Sequence, residues 1–200
     1  MTTPHDILDY WFEGCENDLE ATQKLRDKWY MPSAEIDQEI KEGFSHVYDQ
    51  AFNEELEDWK DSVQGCLALV IIFDQFSRNL FRKTARAFES DRLALELTHK
   101  CINNYWHKEL TVPHQLFLFN PFQHSEDLTE QERGVKMVEK LYNSCASSWQ
   151  SYVEASLDFF RAHRDTVAKF GRFPHRNEVL LRTSTPEELE FLKTAPRYGQ

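Results

Sequence analysis

Apolar residues recur every three or four positions over long stretches of this chain, the period of an α-helix with one face turned inward. Ile36, Ile40, Phe44, Val47 and Ala51 share one such face. Val153, Leu157, Phe160, Val167 and Phe170 share another, and Gly171 then offers the left-handed residue that stops a helix. Between Val63 and Leu80 the apolar positions run almost all the way round, which predicts a central, buried helix. Start signals agree with the period. Thr3-Pro4 with Asp6, Thr129 with Glu132, and Thr185-Pro186 with Glu188 each set a hydroxyl cap before an acid three residues on. Ser33 and Ser62 are further caps, and Pro121 is expected to halt the helix carrying Phe117, Phe119 and Phe122. The chain has only six glycines and no Asn-Gly or Asp-Gly turn, so β-hairpins have little to build from. The expectation is an all-α array of antiparallel helix pairs, about eight to ten helices by these periods, with 103–115 the longest irregular stretch.

Composition narrows the class. The 200 residues suit one domain spanning the whole chain, which buries roughly 70% of its unfolded surface and needs no disulfide or metal staple. With 34 acidic residues against 23 Lys and Arg, and no basic stripe, nucleic acid is not expected as a partner. Cys15, Cys66, Cys101 and Cys145 lie far apart beside helical sequence, which reads as reduced thiols in a cytoplasmic protein. The opening MTTPHDILDYWF has no basic leader, and the longest apolar run, Cys66 to Phe73, is far short of the ~20 residues that cross a bilayer. No membrane association is expected. Trp11, Trp29, Trp59 and Phe44 are assigned to core packing. Trp106 and Trp149 lie near loops, where they matter only if they rim a groove. No metal or cofactor is implied.

Three polar stretches interrupt the apolar pattern. In FDQFSRNLFRKT, residues 73–84, a continuing helix would align Asp74, Arg78 and Arg82 at i, i+4 and i+8, with Gln75 and Asn79 on the adjacent line. Either Asp74 simply pairs with Arg78 where the helix surfaces, or the pair aims a guanidinium at a pocket. In FLFNPFQHSEDLTEQER, residues 117–133, His124, Ser125 and Glu126 occupy a turn between packed helices. A lone H-x-E is a weak signal for an acid/base pair, and turn-forming polar residues are the commoner explanation. In FGRFPHRNEVLLR, residues 170–182, Pro174 sets a bend and His175, Arg176 and Asn177 begin a short helix whose amides, with Arg172 and Arg176, would favour an anion. The bland alternative is that these arginines neutralise carboxylates from other helices. His163, on the preceding helix, is a further candidate.

FDQFSRN, PFQHSED and FGRFPHRNEVLLR, with the closing STPEELEFL and the opening ILDYWF, resemble the bacterial family of unknown function DUF-924, itself similar in fold to tetratricopeptide-like helical superfamilies. The likeness spans nearly the whole chain. It implies a right-handed array of helix pairs with the polar motifs facing a shared groove, and it supplies no activity. Matched by position, the family's motif residues here are Asp74, Gln75, Arg78, Asn79, Arg82, His124, Ser125, Glu126, Gly171, Arg172, Phe173, Pro174, His175, Arg176 and Asn177. Three positions depart from the family pattern: Ser77 stands where Pro is usual, Lys83 where Gly is usual, and Leu181 where Gly commonly precedes the last Arg.

Three functions are compatible with these residues. The stretches converge on a cleft that holds a small anionic ligand or an acidic peptide end; or the protein is a hydrolase or transferase in which His124 or His175 is the acid/base, oriented by Glu126 or Asp74; or the polar set is an ion-pair network fixing how helices stack in a protein-interaction module. No nucleophile elbow, P-loop or dinucleotide fingerprint supports an enzyme.

Overall fold

The computed structural model describes residues 2–195. Helix accounts for 75% of it, and the described residues contain no strand, so the all-α expectation holds. In chain order the helices are α1 (Pro4–Phe12), α2 (Leu19–Lys24), α3 (Arg26–Tyr30), α4 (Ala34–Phe52), α5 (Val63–Val70), a π-helical segment (Ile71–Phe76), α6 (Ser77–Leu80), α7 (Asp91–Asn103), α8 (Val112–His124), α9 (Leu128–Ser144), α10 (Ser147–Phe170) and α11 (Pro186–Phe191). Thr3 with Asp6 and Thr185 with Glu188 form capping boxes, and Ser33 and Ser62 cap α4 and α5.

α5, the π segment and α6 run on as one rod. Cys66 through Asp74 are all buried in it, as the all-round apolar pattern predicts. Gly65 is required there: a Cβ on it would lie 2.0 Å from the carbonyl oxygen of Trp59, in the turn that precedes the rod. Around the rod, α1, α7 and α8 close an aromatic core in which Trp11 meets Phe76 at 5.6 Å and Phe117 at 5.8 Å between ring centroids. α8 packs on α9 through a three-residue link, and α9 on α10 through a two-residue link. Links this short make each pair antiparallel, so α8 and α10 run in the same direction. That arrangement is compatible with stacked helix pairs.

Four sequence expectations change. Pro121 does not end a helix: it lies inside α8, which continues to His124. Proline forfeits one helical hydrogen bond, but Phe117, Leu118, Phe119 and Phe122 are all buried around it and hold the helix together. α9 is capped by Asp127, whose carboxylate accepts from the Thr129 amide at 2.7 Å, rather than by Thr129. The 103–115 stretch is not an extended loop but holds a 3₁₀ turn (Trp106–Glu109) and the start of α8. Arg82 does not continue the line of Asp74 and Arg78, because α6 ends at Leu80 and Phe81 leaves the helical conformation. Two of the three departures from the family pattern also gain a meaning: Lys83 and Leu181 have φ of 62° and 54°, the left-handed conformation that glycine adopts without strain.

Candidate functional site

Six segments converge on a hollow of about 380 Å³: α3 with its exit, the α6 end of the central rod, the 3₁₀ turn Ala85–Phe88, α8, α10, and the 3₁₀ turn Pro174–Arg176. α8 contributes Leu116, Asn120, Gln123 and His124, spaced so that one helical face lines the space. α10 contributes Ser156, Phe159, Phe160 and His163 on the same principle. Because Pro121 does not break α8, Asn120, Gln123 and His124 stay in register with Leu116.

Of the thirteen candidates named from the sequence, eight line this hollow: Gln75, Arg78, Asn79, Arg82, His124, His163, His175 and Arg176. Asp74 is wholly buried behind it, accepting from Gln75 Nε2 at 2.6 Å and from His124 Nδ1 at 2.7 Å. Ser125 and Glu126 line a second hollow of about 660 Å³, which shares Phe88, His124 and Arg176 with the first. Arg172 and Asn177 line neither hollow; both bind Glu188.

The guanidiniums are anchored from behind. Asp91 takes Arg78 Nη1 at 2.7 Å on one oxygen and Arg176 Nη1 at 3.3 Å on the other. Arg78 also donates to the Ala87 carbonyl and stands 4.0 Å from Asp74. Both arginines lie over the Phe88 ring, at 4.8 and 4.4 Å. Asp37 holds Arg82 through two bonds of 2.7 Å and Asn79 through one of 2.8 Å. Lys28 is held by Glu13 at 2.7 Å and by the Tyr10 carbonyl, whereas Arg26 is exposed. Two nitrogens on these guanidiniums, Arg78 Nη2 and Arg176 Nε, are buried without a hydrogen-bond partner among the described residues, as is Gln123 Oε1.

Burial sets the protonation states. It pushes His163 down to about 4 and His175 to about 3, with neighbouring cationic groups adding to the effect. Both imidazoles are neutral at pH 7. The Nδ1 proton of His163 goes to the Phe159 carbonyl at 2.8 Å. Burial lowers Arg176 to about 10, still cationic at neutral pH. For Asp74, burial acts upward but is outweighed by His124 and Arg78, so its carboxyl is held below the usual range.

The basic cluster of residues 170–182 divides into two jobs. Arg182 grips Glu126 at 2.6 and 3.0 Å, and Glu126 also accepts the Phe173 amide at 2.8 Å. Arg172 grips Glu188 at 2.7 and 2.8 Å and holds that carboxyl down to about 2. These pairs clamp the C-terminal segment to the α8–α9 link and to α11, a role the bland alternative anticipated for Arg172 but not for Arg182. The turn amides do not form the expected anion site, since those of Arg176 and Asn177 bond to the Phe173 and Pro174 carbonyls. Only His175 and Arg176 of this cluster reach the hollow.

Residues 7–196 match the family described as a bacterial protein of unknown function, DUF924. The chain belongs to this family. A solved structure of a protein of unknown function from Agrobacterium tumefaciens resembles the DUF924 chain with a TM-score of 0.77 and 31% identity, over 96% of this chain and 97% of that one. No curated protein matches. Among the described residues of the DUF924 chain no helix is long and apolar enough to cross a membrane. Nor do three His, Cys, Asp or Glu side chains gather among them as a metal ion would require.

Sequence reasoning missed several contributors. Asp91 and Asp37 sit in the first turns of α7 and α4, where acids are expected for the helix dipole alone. Trp29, Tyr30 and Phe88 carry no signal beyond being aromatic. Asn120 and Gln123 did carry one, as buried polar residues in an otherwise apolar helix.

Proposed function

We propose that this protein is a single-domain binding module for a small anionic molecule, held in the 380 Å³ hollow. One observation carries the reading. The chain has a net charge of −11, yet among the described residues lining the hollow are five Lys or Arg and three His, and none is Asp or Glu. The volume falls within the span of about 300–1,000 Å³ common to small-molecule sites. Planar guanidiniums match carboxylate or phosphate oxygens in two-point contact, and partial exclusion of water strengthens that contact. The neutral imidazoles of His163 and His175 supply directional hydrogen bonds without further charge. The four free thiols, three of them buried, support a reducing, cytoplasmic setting.

Calorimetry with a panel of phosphates, small carboxylates and short peptides bearing a free C-terminus tests the proposal. Saturable binding by at least one class should weaken about tenfold or more in Arg82→Gln and Arg176→Lys, the loss of a charge-assisted contact. Binding by no member of the panel, or binding indifferent to both variants, refutes it.

A second reading, a hydrolase or transferase, rests on the Asp74–His124 pair. Asp74 fixes Nδ1 at 2.7 Å, and the other ring nitrogen makes no hydrogen bond among the described residues, while His124 borders both hollows. A carboxylate-oriented imidazole with one free nitrogen is suited to moving a proton. Turnover of ester or phosphate-ester substrates that His124→Gln abolishes without abolishing binding supports it. Absence of turnover across such substrates removes it.

A further inference from the structure

Apart from Arg26 and Lys28 of α3, the hollow is chemically graded along its length. Since α8 and α10 run in the same direction, their polar and apolar positions can be compared end to end. α8 passes from Leu116 through Asn120 to Gln123 and His124, about 12 Å at 1.5 Å per residue. On α10, Phe159 and Phe160 precede His163 by one turn. His124 ends α8 and His163 lies two turns before the end of α10, so on both helices the imidazole is the last residue to line the hollow, and Asp74, Arg78 and Arg176 gather at that same end through His124 and Asp91. At the other end Trp29 and Tyr30 pack against Phe117 of α8, with ring centroids 4.9 and 6.5 Å away.

The apolar end also opens to solvent. Tyr30, Met31 and Phe159 are 53%, 61% and 53% exposed, and all three border the hollow. Large apolar side chains left in water around one opening need a partner that covers them. A compact ion such as phosphate would use the deep end and leave them bare.

We infer that the ligand is an amphiphilic anion: a carboxylate or phosphate head at the Arg78–Arg176–His124 end and an apolar body lying along α8 and α10 toward Tyr30 and Phe159. This rests on the anion-binding reading and adds the body to it. The head meets the edges of Arg78 and Arg176 that face the hollow, in competition with Asp91. The body takes Phe159, Tyr30 and Met31 out of water.

The test is a calorimetric titration with acetate, inorganic phosphate, octanoate, octyl phosphate and octanol, kept below micelle-forming concentrations. Octanoate or octyl phosphate should bind with one-to-one stoichiometry, about tenfold or more tighter than the matching bare ion and than octanol. The better of the two identifies the head. Phe159→Ser and Met31→Ser alter exposed side chains, so folding is not at stake, and each should narrow the gap between octanoate and acetate about threefold or more. If acetate or phosphate binds as tightly as the eight-carbon anions, and depends on Arg176, the body is not recognised: the inference falls and the anion site stands. If octanol matches octanoate, the head is not recognised, and if nothing in the series binds, no amphiphile is held. Either result overturns the inference, and the wider panel above then decides the anion-binding reading.

Discussion

Lowering the pH from 7 to 5 should weaken this protein through His163 and His175, and the size of the loss follows from their burial. Each imidazole has an ordinary value of 6.5 once unfolded; folded, His163 titrates near 4 and His175 near 3. The unfolded chain therefore takes up protons that the folded chain refuses, so stability rises with pH between about 4 and 6.5 and is lost as the pH falls through that window. At pH 5 each histidine accounts for a loss of about 2 kcal/mol relative to pH 7, a little less for His175, which keeps some contact with water. Together that is about 4 kcal/mol against a typical total of roughly 5–15 kcal/mol. Burial pushes His107 and His114 downward too, so they add in the same direction. Asp74, Glu126 and Glu188 do not interfere. Their carboxyls are held below the usual range, so their contribution is lost mainly below their unfolded values of 3.8 and 4.5, under the pH 7 to 5 span. Urea unfolding followed by tryptophan fluorescence at pH 7, 6 and 5 measures the slope. His163→Gln and His175→Gln should each flatten it by close to one proton. A free energy that stays constant from pH 7 to 5, or a slope that neither variant changes, refutes the reasoning.

Other perturbations have equally definite outcomes. Leu181→Gly relieves a left-handed residue whose side chain is 94% exposed, and should raise unfolding free energy by about 0.5–1 kcal/mol in chemical denaturation. Gly65→Ala drives a methyl into the Trp59 carbonyl and should cost about 2–3 kcal/mol or prevent folding, read as a lowered midpoint. Glu126→Gln removes the charge that Arg182 and the Phe173 amide share; a loss of about 2 kcal/mol is expected, with faster amide exchange across residues 173–182 if that pair is the clamp.

Periodicity made the helices legible because it depends only on which face is apolar. The continuous apolar run from Val63 announced the buried rod, and Gly171 announced the end of α10. What escaped were effects of tertiary packing. Pro121 reads as a helix stop, but surrounding phenylalanines override one missing hydrogen bond. The stop of α6 at Leu80 takes Arg82 off the Asp74–Arg78 line without any mark in the residue pattern. The same division holds for the site. Arg78, His124 and Arg176 stood out as charges in apolar surroundings, whereas the carboxylates that hold them, Asp91 and Asp37, come from distant helices where an acid is unremarkable. The basic cluster near the C-terminus was visible as an anomaly, but only the pairings of Arg172 with Glu188 and Arg182 with Glu126 separate its scaffold members from His175 and Arg176.

Asp91 grips two arginines that lie 98 positions apart along the chain. In the resting protein the strongest positive charges of the hollow therefore already have a resident counter-ion. On the anion-binding proposal, a guest anion would be received by competition, loosening an internal carboxylate as it arrives and yielding the arginines back to it on departure. Such an exchange trades tightness for rapid turnover, and it suits a carrier or sensor that must let go of its cargo more than a vault that keeps it.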